Sequence, residues 1–155
     1  IGIQCILIGF IATMVNRKKI FTPAFLEQNF GEEHWKAFGN RIPKDGYPDM
    51  GNGRYSQKLS YEDWYNFNNG QRVHYNFLEQ VASIVALILV TAFHLPMLAG
   101  YLGWVYFAGR TIYTLGYMKI GPKGRVVGAL VMYLAMLPLF GTSVYSAIKI
   151  WNGSQ

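Results

Sequence analysis

The chain has 155 residues, of which 52% are hydrophobic, 16% aromatic and only 14% charged. Soluble domains carry about 25% charged residues, and disordered chains are polar and poor in aromatic residues. The single cysteine excludes a disulfide scaffold and a multi-cysteine zinc site. The composition therefore predicts one folded domain, residues 1–155, with lipid as the solvent for about half of it.

The net charge of +6 is unevenly distributed along the chain. Seven of the eight acidic residues lie between positions 27 and 63, and Glu79 is the only one that follows. Residues 20–66 are therefore predicted to form a long polar loop attached to an apolar tract. The sequence has no RNA-binding motif and no basic tail, so we expect membrane lipid rather than nucleic acid as a partner. Its three histidines are too scattered to indicate a metal site.

Four apolar segments predict four transmembrane helices, at about residues 1–16, 71–93, 97–118 and 125–151. The first is short, since fifteen helical residues cover about 22 Å of a hydrocarbon core of roughly 30 Å. The chain begins at Ile1 rather than methionine, so we expect either residues upstream or a removed leader. The predicted fold is all-α, a membrane-embedded four-helix bundle.

Several local features refine this prediction. A short helix is expected to begin at Pro23 in the long loop. Pro138 is expected to kink the fourth helix, because proline removes one backbone hydrogen bond. The positive-inside rule places the first and third loops on the cytoplasmic or matrix side. The small residues expected to allow close helix packing are Gly128, Gly141, Thr142, Ser143 and Ala147.

Ionisable residues within the apolar half mark the candidate site. Each costs roughly 2.5–3.5 kcal/mol inside a membrane span, so each usually faces a partner or a polar cavity. Residues at i, i+3, i+4 and i+7 lie on one face of a helix, which predicts two polar stripes. These stripes are Arg72, Asn76 and Glu79 on the second span, and Arg110, Tyr113 and Tyr117 on the third.

Two interpretations of the stripes remain open at this point. In a structural interpretation, Glu79 pairs with Arg110 or Arg72, and the tyrosines bond to backbone groups. In a functional interpretation, the stripes and Arg125, at the foot of the fourth span, form a pocket for a small anion with one cationic group. Several cations and one carboxylate suit a peptide that has two carboxylates and one ammonium.

The residues 67–79, FNNGQRVHYNFLE, resemble the F-N-x-x-Q-R-x-H-x-N-x-x-E signature of the MAPEG superfamily, membrane-associated proteins in eicosanoid and glutathione metabolism. Within this superfamily, the sequence most resembles the branch of microsomal glutathione S-transferase type 3. The resemblance covers about residues 1–151. Four further segments resemble motifs of that branch: YPDM (47–50), GRTIYTLGY (109–117), RVVGAL (125–130) and GTSV (141–144).

The resemblance implies a homotrimer of four-helix bundles, with glutathione as co-substrate between neighbouring subunits and no metal. By analogy, Arg125 stabilises the glutathione thiolate beside Tyr117, with Lys123 as the alternative in case the register of the turn differs. Arg17, or alternatively Lys18, contacts a glutathione carboxylate from the adjacent subunit. The other glutathione-binding residues implied are Arg72, His74, Asn76, Glu79, Arg110 and Tyr113.

The implied function is that of a glutathione transferase or peroxidase in the endoplasmic reticulum or mitochondrial membrane. Its thiolate would attack a lipophilic electrophile or a lipid hydroperoxide that enters from the bilayer. The first loop is longer than is usual in the family, and this length is the reason for considering a second function. In that alternative, the protein is a non-catalytic MAPEG-like accessory subunit of a larger membrane complex, such as a respiratory one. The sequence leaves the catalytic activity, the hydrophobic substrate and the organelle open.

Overall fold

The structure, a computed structural model, describes residues 1–44 and 49–153. These residues contain helices and no strand, which confirms the predicted all-α bundle. Helix α1 runs without interruption through Gly2–Gly9, Phe10–Val15 and Asn16–Ile20, and its middle segment is π-helical. The other helices are α2 (Pro23–Phe38), α3 (Tyr61–Ala92), α4 (Pro96–Ile120) and α5 (Val126–Gly153), with short 3₁₀ turns at Ser56–Lys58 and Pro122–Arg125.

The four predicted apolar helices are present, but their ends differ from the prediction. Helix α3 begins at Tyr61 rather than near residue 71, because the hydroxyl of Ser60 accepts a hydrogen bond from the Asp63 amide and caps the helix. The first loop is correspondingly shorter. By length and composition, Tyr61–Ala92 and Pro122–Gly153 are apolar enough to cross a membrane. That all four helices cross it stays a prediction.

Glycines allow the helices to approach closely. A Cβ added at Gly116 would lie 2.1 Å from the carbonyl oxygen of Gly124, and one at Gly128 would lie 2.2 Å from the backbone nitrogen of Tyr113. Helices α4 and α5 therefore meet backbone to backbone, as predicted for Gly128 and as is common between membrane helices. Gly141 takes no part, because an added Cβ there would have no atom of the described residues within 4 Å.

Hydroxyl groups join α5 to α3. The Thr91 hydroxyl lies 3.2 Å from that of Thr142, which also donates to the carbonyl of Pro138 at 2.8 Å. Helix α5 is continuous across Pro138. Of the remaining predicted packing residues, Ser143 is buried and Ala147 is exposed.

The first loop has a small hydrophobic core of its own. Phe21, Leu26, Phe30, Ile42 and Phe67 are buried together, and Phe67 belongs to the start of α3. The helix predicted from Pro23 is present and longer than expected, as α2. The loop is therefore a folded layer at one end of the bundle.

Asp49 organises the return of this loop towards α3. Its carboxylate accepts hydrogen bonds of 2.7–3.1 Å from the amides of Gly51, Gly53 and Ser56 and from the Ser56 hydroxyl. Burial raises the pKa of Asp49, but these hydrogen bonds outweigh it and leave the pKa below its usual value. Arg17 Nη2 donates to the Asp49 carbonyl at 3.0 Å and so ties the loop to α1.

Candidate functional site

The stripe on α3 faces outward from the bundle. Arg72 and Glu79 are exposed, and Asn76 is half-buried with its amide donating to the Arg72 carbonyl at 2.6 Å. Among the residues that the structure describes, the ion pairs lie in the first loop, and Glu79 pairs with neither Arg72 nor Arg110. The structural interpretation, in which an arginine neutralises Glu79, is therefore not observed within the described part of the chain.

The stripe on α4 faces inward. Arg110 is fully buried, and its guanidinium donates to the carbonyls of Val73 at 2.7 Å and of Asn76 at 3.5 Å. The same guanidinium lies 4.3 Å from the ring centroid of Phe77 and 4.6 Å from that of Tyr113. Arg110 thus joins α3 to α4, and its Nε has no hydrogen-bond partner among the described residues. Only the family resemblance places Arg110 among the glutathione-binding residues.

A row of aromatic rings continues from Arg110 to the turn between α4 and α5. The ring centroids of Tyr113 and Tyr117 are 5.8 Å apart, and the Arg125 guanidinium lies 5.7 Å from the Tyr117 centroid. Tyr117 is buried and Arg125 half-buried, so the row leads from the core to the surface. Lys123 in the same turn is exposed, and it is Arg125 that lies against the tyrosine.

Two more of the predicted residues lie between α1 and its neighbours. Arg17 Nη2 approaches the Met50 sulfur at 3.2 Å in addition to the carbonyl of Asp49. His74 packs against Gly9, where an added Cβ would lie 2.6 Å from the histidine Cε1. Within residues 1–44 and 49–153, its Nδ1 has no hydrogen-bond partner. Both side chains therefore anchor α1, and their contact with glutathione stays a prediction.

A model of the MAPEG family matches residues 6–145, which include both stripes and the turn that carries Arg125. The chain belongs to the MAPEG family. MAPEG proteins act in membranes and generally use glutathione, and the apolar helices of this chain agree with that setting. No solved structure matches the chain.

The YPDM segment that contributed to the MAPEG resemblance begins with Tyr47 and Pro48, which lie outside the described residues. Asp49 and Met50 from the same segment contact Arg17, so this part of the motif packs the first loop on α1. In the described part of the chain, no three side chains among His, Cys, Asp and Glu come together as a metal site.

Sequence reasoning missed three buried polar side chains in this MAPEG bundle. Gln71 is only 2% exposed, yet neither its Oε1 nor its Nε2 has a hydrogen-bond partner in the described part of the chain. Gln4 reaches across to α4, where its Nε2 donates to the Phe107 carbonyl and the Thr111 hydroxyl. Gln4 Oε1 and the hydroxyl of Thr114 have no hydrogen-bond partner among the residues that the structure describes. Gln4 could have been identified from the sequence, because its side-chain amide lies within the apolar segment that forms α1.

Proposed function

We propose that the protein is a membrane-bound glutathione transferase or peroxidase whose site is completed by a neighbouring copy of the chain in a trimer. The observation that carries this proposal is the outward placement of Arg72 and Glu79 without an ion pair. Charged groups on a membrane helix cost several kcal/mol unless a partner or a polar guest covers them. Glutathione offers two carboxylates and one ammonium, which complement an arginine and a glutamate.

Arg125 is proposed to stabilise the glutathione thiolate. A free thiol has a pKa near 8.5, and only the thiolate is the nucleophile. Lowering that pKa by about two units needs roughly 2.7 kcal/mol of preferential stabilisation of the anion. One guanidinium in a partly desolvated site supplies energy of this order. The contact with the Tyr117 ring holds the Arg125 guanidinium in position.

The thiolate would react in one of two ways with a lipophilic molecule from the bilayer. With an electrophile, the sulfur forms a bond to carbon while a leaving group departs with the electron pair. With a lipid hydroperoxide, the sulfur attacks the terminal oxygen and the O–O bond breaks, which yields a sulfenic acid and an alkoxide that takes a proton from water to become the alcohol. A second glutathione then displaces water from the sulfenic acid to form the disulfide. The proposal applies equally to an endoplasmic reticulum or a mitochondrial membrane.

Two variants in one turn test the proposal. Glutathione binding to the purified protein is measured by calorimetry, and thiolate formation by ultraviolet absorbance. Arg125→Ala is expected to keep glutathione binding but lose the thiolate signal at neutral pH, whereas Lys123→Ala, in the exposed part of the turn, keeps both. The proposal is wrong if Arg125→Ala forms thiolate like the unmodified protein, or if the unmodified protein does not bind glutathione.

Exposed aromatic residues in the first loop support a second candidate function, that of a non-catalytic accessory subunit. Helix α2 exposes 59% of Trp35 and 70% of Phe38, on a loop that has its own folded core. Exposed aromatic residues are common at protein interfaces and at membrane surfaces. The accessory role predicts co-purification with a constant set of membrane proteins and no glutathione affinity. A protein that purifies alone as a trimer and binds glutathione contradicts it.

A further inference from the structure

Three uncharged groups hold the guanidinium of Arg17 near the end of α1. Its Nη2 donates to the Asp49 carbonyl at 3.0 Å and lies 3.2 Å from the Met50 sulfur. Its Cζ lies 5.8 Å from the centroid of the Phe67 ring, near the start of α3. Because Asp49 and Phe67 are buried, these contacts fix the Arg17 guanidinium against the folded first loop.

These contacts leave the positive charge of Arg17 without a counter-ion. In the described part of the chain, the ion pairs join Lys36 to Glu32 and Arg54 to Glu33, and no carboxylate pairs with Arg17. A carbonyl, a thioether and an aromatic ring orient a cation without neutralising it. Arg17 is half-buried, so its charge remains open to an anionic ligand.

The carbonyl that holds Arg17 is fixed by the side chain of the same residue. Asp49 is 1% exposed, and its Oδ1 accepts hydrogen bonds from the amides of Gly51 and Gly53 and from the Ser56 hydroxyl. Its Oδ2 accepts from the Ser56 amide at 2.7 Å. The four bonds fold residues 49–56 into one turn around the carboxylate, and they thereby set the direction of the Asp49 carbonyl.

Two side chains of α3 hold this turn from the other side. The carbonyl of Gly51 accepts from Trp64 Nε1 and from Asn68 Nδ2, both at 3.0 Å. Gly51 has a φ of 105°, and an added Cβ would lie 2.6 Å from Asn68 Oδ1. The turn is therefore a fixed link between the end of α1 and the start of α3.

We propose that Asp49 is a positioning residue for glutathione, which directs the Arg17 guanidinium towards a glutathione carboxylate through its own backbone carbonyl. This inference rests on the proposed function, and it extends the binding site from the bundle into the first loop. Asp49 itself needs no contact with glutathione. We expect it to affect affinity rather than thiolate formation, because a contact with a remote carboxylate stabilises the bound ground state and the transition state equally.

Asp49→Asn tests this inference by disrupting one of the four hydrogen bonds. If the amide oxygen keeps the bonds of Oδ1, the amide nitrogen faces the Ser56 amide, which is also a donor. The turn should loosen and release Arg17. Calorimetry should then show about tenfold weaker glutathione binding, which corresponds to about 1.4 kcal/mol. At saturating glutathione the thiolate absorbance should be unchanged, because Arg125 is unaltered.

Asp63→Asn is the matched control in the same layer. The Asp63 carboxylate also accepts from a serine hydroxyl, that of Ser60 at 2.8 Å, but it is not among the contacts of Arg17. This variant should bind glutathione like the unmodified protein. An equal loss of affinity in Asp63→Asn and Asp49→Asn would show a general effect of the first loop and would overturn the inference.

A double-mutant cycle separates positioning from a general effect on stability. Arg17→Met removes the guanidinium but keeps a long side chain, and it should weaken glutathione binding about as much as Asp49→Asn. If Asp49 acts through Arg17, Asp49→Asn should weaken binding no further in the Arg17→Met background. An effect of Asp49 that bypasses Arg17 would add to that of Arg17→Met.

Thermodynamic linkage provides a readout that a purely structural role would not change. If the first loop positions Arg17 for glutathione, glutathione must stabilise the loop by the same free energy. Where cleavage follows the population of the open loop, saturating glutathione should slow proteolysis of the first loop about tenfold in the unmodified protein. The same addition should give no protection in Arg17→Met.

The outcomes distinguish this inference from the proposed function. The inference alone is overturned if the unmodified protein binds glutathione but Asp49→Asn binds it equally well, or if the effects of Asp49→Asn and Arg17→Met add. It is also overturned if glutathione protects the loop of Arg17→Met as it protects that of the unmodified protein. If the unmodified protein binds no glutathione, the proposed function and this inference are both wrong.

Discussion

Substituting Gly116 with alanine is expected to push α4 away from the turn that carries Arg125. The added Cβ would lie 2.1 Å from the carbonyl oxygen of Gly124 and 2.8 Å from its carbonyl carbon. Both are backbone atoms, so no change of side-chain rotamer can relieve the contact. Ordinary contact begins near 3.4 Å, so the two segments must separate by about 1.3 Å (3.4 − 2.1).

The expected cost follows from two opposing terms. Overpacking costs about 1–3 kcal/mol, and a backbone clash of this size belongs at the upper end of that range. Alanine in a helix is about 1 kcal/mol more favourable than glycine, which offsets part of the cost. The free energy of unfolding should therefore fall by about 2 kcal/mol. Gly141→Ala meets no atom within 4 Å and should raise it by up to about 1 kcal/mol.

The two glycine variants are compared by titration with sodium dodecyl sulfate in mixed micelles, with helix content as the readout. Separation of α4 from the turn should also displace Arg125 from Tyr117 and reduce the glutathione thiolate signal. If Gly116→Ala is as stable as Gly141→Ala, α4 and the turn do not meet at Gly116 and the packing described here is wrong.

Three other substitutions address the loop, the bundle and the site. Hydrogen bonds lower the pKa of Asp49, so its ionised carboxylate stabilises the folded state. This stabilisation is complete above the unfolded-state pKa of about 3.9, and it is lost as the pH falls through the lower pKa of the folded state. Asp49→Asn should therefore make the first loop sensitive to protease at neutral pH, and unchanged resistance would contradict its role. Thr142→Val removes the bond to Thr91 and should cost about 0.6 kcal/mol in the detergent titration. A loss above about 2 kcal/mol would show that this bond is worth more than the average. Arg72→Gln should leave stability unchanged and weaken glutathione binding about tenfold by calorimetry, whereas a lower unfolding midpoint would indicate a structural role.

The helices of the bundle could be predicted from the sequence, because a helix in an apolar environment satisfies its own backbone hydrogen bonds. The sequence also predicted the boundaries between the helices at Pro96 and Pro122, because proline commonly ends a helix or begins one. The early start of α3 was missed, because apolar composition does not report a cap. The hydroxyl of Ser60 starts the helix within polar sequence.

Helical spacing also predicted which polar residues share a face, but not where each face points. Arg72 and Arg110 are both arginines in an apolar helix, yet one is exposed and the other is fully buried between aromatic rings. The rotation of each helix depends on its contacts with the others, above all on the glycines through which α4 meets α5. That information is spread over distant parts of the chain.

By itself, the sequence determined the all-α class, the membrane setting and the MAPEG family, because these depend on composition, on local periodicity and on motif order. The tertiary structure alone decided that Arg125 meets Tyr117 and that Gln4 bonds to the Phe107 carbonyl and the Thr111 hydroxyl on α4. Gln4 and Thr111 are separated by 107 positions in the chain. No local pattern links residues so far apart, and only the packing of α1 against the bundle brings them within hydrogen-bonding distance.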